Sequence, residues 1–118
     1  MGRRSRRRGG ADVKAPSVDY VDADGNTLTL RGALSPGARV KHEQERGASP
    51  LSREDARERA FELLFEQLAV SWTIAGIPID RQGELLGRLR LASHEKREWV
   101  RARLREHCAE HFPDVAVD

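Results

Sequence analysis

The pattern of apolar and polar positions between Ser52 and Trp72 predicts the helix around which the rest of the chain packs. Ser52 is its predicted N-cap, because the acidic Glu54 and Asp55 follow in the first turn, where they favour the positive end of the helix dipole. This stretch holds two of the three Phe and one of the two Trp, so we expect the core to gather around it. Offsets of 0, 3, 4, 7 and 11, typical of one helix face, separate Phe61, Leu64, Phe65, Leu68 and Trp72.

Residues 18–32, VDYVDADGNTLTLRG, predict a β-hairpin. Val18 and Tyr20 alternate with Asp19 and Val21, which would lie on the opposite face of the strand. Asp-Gly supplies the positive φ of a tight turn, and the Thr/Leu alternation that follows gives one apolar face. The DADGN turn is also similar to a calcium loop, but the EF-hand pattern requires a Glu at its twelfth position. Counted from Asp22, that position is Ala33, so the calcium interpretation fails.

Two irregular segments flank the long helix. Residues 33–51 contain two Ser-Pro pairs and two Gly, which predict a mobile polar linker with one helical turn over 38–45. Residues 72–80, WTIAGIPID, contain Gly76 and Pro78, which stop a helix, yet their three Ile are too apolar for a free loop. We expect a short extended turn, or a tiny hairpin, that folds these isoleucines onto the core.

Two helices close the chain. Asp80 is predicted to cap a helix over 81–92, and Ser93 a helix over His94–His111 that ends at Phe112-Pro113. In the first of these helices, the side chains expected to face the core are Leu85, Leu86, Leu89 and Ala92. The second carries an apolar stripe of Val100, Leu104, Cys108 and Phe112, with Trp99 to one side. The predicted fold class is α+β, predominantly α, with an N-terminal β-hairpin followed by three helices.

Charged ladders border two of these helices. The acidic ladder is Glu58, Glu62 and Glu66; the basic ladder is Arg97, Arg101 and Arg105. Like charges four residues apart cost a few tenths of a kcal/mol per pair, so the acidic ladder requires a cationic neighbour. Antiparallel packing would pair the two ladders and set register more than stability, because surface pairs contribute about 0–1 kcal/mol each. The alternative is that either ladder faces a partner protein.

Composition limits the size of the core and the classes of function. The chain has 118 residues, which predicts one small domain over 17–118 with its helical part at 52–112. Because only 38% of the residues are hydrophobic and 5% aromatic, the core is thin, and a weak homo-oligomer or a partner surface is favoured. No apolar run of about 18 residues is present, so we expect no membrane contact. A single cysteine, Cys108, fits a reducing cytoplasm.

The basic charge is concentrated in an N-terminal arm. Residues 1–16 hold six of the 21 basic and one of the 19 acidic residues, which leaves 15 basic and 18 acidic residues and a net charge of −3 for the remainder. We interpret 1–16 as a disordered arm that either contacts a polyanion or serves as a solubilising tail. Nucleic-acid binding is disfavoured because no aromatic residue is interleaved for base stacking. The polyanion contacts would be Arg3, Arg4, Arg6, Arg7 and Arg8.

One short sequence motif near the C-terminus suggests a catalytic zinc site, but its surroundings argue against that site. His107-Cys108-Ala109-Glu110-His111 fits the H-x-x-E-H pattern of zinc peptidases, in which the two His bind zinc. Here the two His share their helix face with the core stripe, and only seven residues follow to supply a third ligand. No phosphate loop or nucleophile elbow occurs, so we expect no catalytic residue, no metal, no cofactor and no enzymatic activity.

The layout as a whole resembles the small tail assembly chaperones of long-tailed bacteriophages, especially those that infect actinobacteria. The resemblance spans roughly residues 18–115 and is carried by DADGNTLTLRG, LSPG, WTIAGIPID and LREHCAEHFPD. It implies a mostly helical, non-enzymatic protein of the bacterial host's cytoplasm that bridges tail-tube subunits and the tape measure protein during virion assembly. The Arg-rich arm departs from the family.

A protein that holds another chain needs exposed apolar side chains and a free strand edge. The predicted partner contacts are Trp72, Ile74, Ile77, Ile79 and Trp99. The alternative function, of a different class, is a small nucleic-acid-binding or virion structural protein that acts through the Arg-rich arm.

Overall fold

The computed structural model describes residues 16–47 and 53–117. Within these ranges a four-stranded antiparallel sheet combines with four helices, so the α+β class is confirmed. The prediction of three helices is wrong by one. The strands are β1 (Val18–Val21), β2 (Thr27–Leu30), β3 (Ala69–Ile74) and β4 (Ile77–Ile79), and the helices are α1 (Pro36–Gly47), α2 (Arg53–Leu68), α3 (Gln82–Leu91) and α4 (His94–His111).

The N-terminal hairpin forms as predicted. β1 and β2 pair antiparallel, with Val18 opposite Leu30 and Val21 opposite Thr27. Gly25 takes a φ of 83° in the turn, a value that favours glycine. β2 also pairs with β3, and β3 with β4, so the hairpin is half of a sheet in the order β1-β2-β3-β4.

The long helix ends at Leu68, so the prediction that it continues to Trp72 is wrong. In a continuing helix the N–H of Trp72 would donate to the Leu68 carbonyl. That carbonyl instead accepts from the N–H of Arg31 at 2.8 Å, next to β2. Trp72 lies in β3 opposite Leu28 and still joins the core, with its ring edge-on to Phe65 at 5.8 Å between centroids. The predicted N-cap, Ser52, lies outside the described residues.

The expected tiny hairpin at WTIAGIPID is the β3–β4 pair. Ile74 and Ile77 face each other across a two-residue loop, in which Ala75 has a φ of 52° and Gly76 a φ of 79°. Positive φ at both loop residues is the type I′ turn, whose twist matches that of the flanking strands. The sheet therefore has four strands because this segment pairs with the first hairpin.

One face of the sheet packs against the helices and forms the core. Leu28, Leu30, Trp72 and Ile79 point to this side, where they meet the apolar stripes of α2, α3 and α4. The other face is polar, and on it Thr29 Oγ1 donates to Asp19 Oδ1 at 2.6 Å. The helix residues of the core are Phe61, Leu64, Phe65, Leu68, Leu85, Leu89, Val100, Leu104 and Cys108.

Helix α1 replaces most of the predicted linker at 33–51, which is a correction. The Ser35-Pro36 pair starts the helix, because the Ser35 hydroxyl accepts from the N–H of Ala38 (3.1 Å) and proline suits the first helical position. The helix is held to α2 by Gln67, whose Nε2 donates to the Ala38 carbonyl at 3.0 Å. His42 is its buried residue.

The two C-terminal helices differ in their caps. Asp80 does not cap α3: the N-cap position is Arg81, and no side-chain hydrogen bond caps the helix there. Ser93 caps α4 as predicted, because its hydroxyl accepts from the N–H of Lys96 at 3.1 Å. The stripe from Val100 to Phe112 is buried as predicted, and so are Leu85 and Leu89, whereas Leu86 and Ala92 are half-buried.

Ion pairs join α2 to α4, as the charged ladders predict. Glu58 pairs with Arg97 and with Arg101, the latter at 2.9 Å between Oε1 and Nη2. Glu62 lies 3.9 Å from Arg97 and also pairs with Arg90 of α3 at 2.9 Å. Residues further along α2 pair with residues earlier in α4, so the two helices are antiparallel. We call these five residues the charged seam.

The other two ladder members lie outside the seam. In the described part of the chain no ion pair links Glu66 or Arg105 to the opposite ladder. Within the seam, Arg101 makes a second kind of contact. Its guanidinium lies 4.2 Å from the ring centroid of Phe61, which is a cation–π interaction. The seam therefore combines charge pairing with cover for an aromatic core residue.

Candidate interaction groove

Asp22 ties three parts of the fold together at one corner. Its Oδ1 accepts from the backbone N–H groups of Asp24 (2.8 Å) and Asn26 (3.0 Å), and its Oδ2 accepts from Lys96 Nζ (2.6 Å). Asn26 Oδ1 accepts in turn from the backbone N–H of Ala75 at 3.0 Å. The turn of the first hairpin is thereby bonded to the start of α4 and to the turn of the second hairpin.

The Asp22 carboxylate is held in its ionised form. Burial alone would raise its pKa, but the Lys96 ammonium and the backbone N–H donors outweigh burial and hold the pKa below its ordinary value of 3.8. Sequence reasoning weighed this segment as a hairpin turn and as a calcium loop, and it missed that the Asp22 side chain joins the turn to α4. The signal was present, because an Asp that begins a turn often accepts from the N–H groups that follow it.

A hollow of about 180 Å³ opens beside this corner, between the hairpins and the junction of α3 with α4. It is smaller than the roughly 300–1,000 Å³ pockets that enclose whole small molecules, so its size suits one or two side chains. No acidic residue lies in its lining, which among the described residues consists of Asn26, Trp72, Ile74, Arg88, Leu91, Ala92, Ser93 and Lys96.

Trp72 and Arg88 of this lining carry donors for which no partner is found among the described residues. Trp72 is 1% exposed, and its Nε1 meets no acceptor among the described residues. A buried donor left unpaired costs about 1–3 kcal/mol. Within the same part of the chain Arg88 makes no ion pair, whereas Lys96 is engaged by Asp22. The hollow thus offers donors and positive charge beside an apolar wall.

A second hollow, of about 330 Å³, adjoins the first and shares Ser93 and Lys96 with it. We call the two together the corner groove. Trp99 forms the aromatic part of the second hollow, and the Arg103 guanidinium lies 5.5 Å from its ring centroid. The charge of the two halves differs, because the second hollow is lined by Asp22, Asp24 and Glu95.

The predicted partner contacts divide between this groove and the core. Ile74 lines the first hollow and Trp99 the second, while Ile77, opposite Ile74 in the sheet, is 63% exposed. Trp72 and Ile79 are buried and offer little apolar surface: Trp72 lines the first hollow from the core side, and Ile79 belongs to the core. Sequence reasoning missed Leu91, which is 85% exposed on the rim of the first hollow.

His107 of the zinc-like string is used for hydrogen bonding within the fold. Its Nε2 lies 2.7 Å from the Arg31 carbonyl and its Nδ1 lies 2.8 Å from the Tyr20 hydroxyl. A carbonyl only accepts, so Nε2 carries the proton and the Tyr20 hydroxyl donates to Nδ1. Burial lowers the pKa of His107 below its ordinary 6.5, and the nearby His111 lowers it further.

Cys108 is equally enclosed, and burial raises the pKa of its thiol to about 11. Residues 16–47 and 53–117 contain no group of three His, Cys, Asp or Glu side chains placed to hold a metal ion. None of the helices in these ranges has the length and apolar character needed to cross a membrane. The arm residues Arg3, Arg4, Arg6, Arg7 and Arg8 lie outside the described residues.

Comparison of the chain with protein families, with curated proteins and with solved structures finds no match.

Proposed function

We propose that this protein is a non-enzymatic binding module, a tail assembly chaperone that holds tail-tube and tape measure proteins in the cytoplasm of a bacterial host during virion assembly. The observation that supports this proposal is the apolar rim of the corner groove. Leu91 and Ile74 line the first hollow, Leu91 is 85% exposed, and Ile77, which pairs with Ile74 in the sheet, is 63% exposed. Apolar side chains grouped beside a groove with polar borders are typical of protein-interaction sites.

The chemistry of the fold agrees with a binding role. His107, one of the two histidines of the H-x-x-E-H string, serves the interior through hydrogen bonds, and its neighbour Cys108 serves it through packing. The assembly partners come from the sequence resemblance, in DADGNTLTLRG, WTIAGIPID and LREHCAEHFPD. A chaperone of this kind must bind and release, so contacts of micromolar strength are sufficient.

Reading the neighbouring genes and measuring binding to their products tests the proposal. We expect an overlapping downstream frame, then a very long gene of the tape measure type, and binding of the purified tail-tube or tape measure product. Leu91→Asp should weaken that binding about tenfold, by removing apolar contact and placing a charge in the interface. Val40→Asp is the matched control, because Val40 is 57% exposed on α1, outside the groove.

Two results would contradict the proposal. One is the absence of such genes together with no binding to any tail protein encoded nearby. The other is binding that disappears on deletion of residues 1–16 and falls steeply with salt, which would favour the nucleic-acid-binding or virion structural alternative.

A further inference from the structure

The first hollow of the corner groove has a chemistry that identifies its occupant. We infer that it binds an acidic side chain of a partner segment, with an apolar side chain of the same segment against the rim. This inference rests on the proposed binding function and deepens it, because it states which feature of the partner is read. The occupant is a protein segment that contains an acidic residue beside an aliphatic one.

Charge complementarity is the first support. The lining holds the cations Arg88 and Lys96 and no acidic residue among the described ones. Lys96 is already paired with Asp22 at 2.6 Å, whereas Arg88 has no ion-pair partner in the described part of the chain. An unpaired guanidinium at a groove presents a planar set of donors that matches a carboxylate.

The buried indole is a second, independent support. Trp72 is 1% exposed, lines the hollow, and has no acceptor for its Nε1–H among the described residues. Buried donors are almost always paired in folded proteins, so an unpaired indole in the wall of a cavity is a candidate to gain an acceptor when the cavity is filled. A carboxylate bound to the guanidinium keeps lone pairs free for a further donor such as the indole N–H.

The apolar wall fixes the second half of the recognition. Ile74 lines the hollow, and Leu91 stands 85% exposed at its rim. An aliphatic neighbour of the acidic residue would cover Leu91 and exclude water from the charge pair, which strengthens the pair. The second hollow is lined by three acidic residues against the one shared Lys96 and would repel the same carboxylate, so the segment has one favoured position.

The test follows the indole N–H signal of Trp72 by two-dimensional ¹H–¹⁵N NMR on the full chain, with Trp99→Phe to assign the two indole signals. The probe is the peptide acetyl-Leu-Glu-Leu-amide, and acetyl-Leu-Gln-Leu-amide is its uncharged match. We expect the Glu peptide to shift the Trp72 signal in a saturable way, and the Gln peptide to bind about tenfold more weakly. Arg88→Gln should abolish that difference.

Arg90→Gln is the control variant, because Arg90 is on the same helix but pairs with Glu62 and does not line the hollow. It should leave the peptide preference intact. The inference is overturned if neither peptide moves the Trp72 signal, if both move it equally, or if Arg88→Gln and Arg90→Gln act alike. Binding of tail proteins that is insensitive to Arg88→Gln would overturn the inference and leave the proposed function standing. If the groove selects the Glu peptide but the protein binds no tail protein, the inference stands and the proposed function is overturned.

Discussion

His107 connects three elements through the two nitrogens of one ring. It lies on α4, bonds Tyr20 of β1 through Nδ1, and bonds the Arg31 carbonyl next to β2 through Nε2. The side chain is 0% exposed, so both contacts lie inside the fold. Protonation would charge this buried ring and remove the lone pair to which Tyr20 donates. The neutral form of His107 is therefore part of the folded structure.

This arrangement predicts that stability falls in mild acid. The pKa of His107 is lowered in the folded state, so its contribution to the free energy of unfolding is complete above the unfolded value of about 6.5 and is lost as the pH falls toward the lowered folded pKa. Urea unfolding between pH 7 and pH 5 should show this loss, with a slope of at most about 1.4 kcal/mol per pH unit. His107→Gln should reduce the slope, and the exposed His94→Gln should retain it. Equal slopes in all three proteins would refute the assignment.

The second hairpin shows where local sequence signals decide an element and where they do not. Its turn could be predicted because Gly76 and Pro78 interrupt the helix. Its strand β3 could not be located, because the spacing from Phe61 to Trp72 fits a helix throughout and the hydrogen bond that ends the helix comes from Arg31, far away in the chain. Helix α1 was predicted only as one helical turn over 38–45, because Ser-Pro was interpreted as a linker signal when here it starts a helix.

The turn of this hairpin is strained at one position that can be repaired. Ala75 has a φ of 52°, a conformation that costs a residue with a Cβ about 1–2 kcal/mol, and its N–H contact with Asn26 does not depend on the side chain. Ala75→Asn should raise the free energy of unfolding by about 1 kcal/mol, since Asn-Gly is the preferred pair in this turn. Thermal unfolding measures the change, and the exposed Ala23→Asn is the control. A destabilised Ala75→Asn protein would disprove this account of the turn.

The molecule as a whole is a sheet with helices on one face, closed by contacts between distant parts of the chain. Sequence patterns predicted the first hairpin, the core stripes and the antiparallel pairing of the charged ladders, because the period of side chains along each strand or helix is visible in the sequence. The corner groove could be predicted only in part, through Trp72, Ile74 and Trp99. Its other residues come from separate turns and helices, and nothing local marks Arg88 or Leu91 as neighbours of Trp72.

The charged seam should couple α2 to α4 measurably. A double-mutant cycle with Glu58→Gln and Arg101→Gln should give a coupling free energy of about 0.5–1 kcal/mol, at the upper end for surface pairs because the Arg101 side chain is only 11% exposed. The matched cycle pairs Glu58→Gln with Arg105→Gln, since Arg105 belongs to the same ladder but lies outside the seam, and should give about zero. Equal coupling in the two cycles, measured by urea unfolding, would mean that the seam does not set the register.

The bonds that anchor the first hairpin also constrain the order in which the protein folds. Tyr20 and His107 are 87 positions apart in the chain, and Asp22 and Lys96 are 74 apart. Contacts of such long sequence separation form slowly, because the intervening chain loses entropy before the contact stabilises it. On a ribosome, the segment synthesised early must therefore wait for α4 to emerge before its side chains are fixed. Among the described elements this hairpin is synthesised first, and its bonds to α4 can form only after α4 has been made.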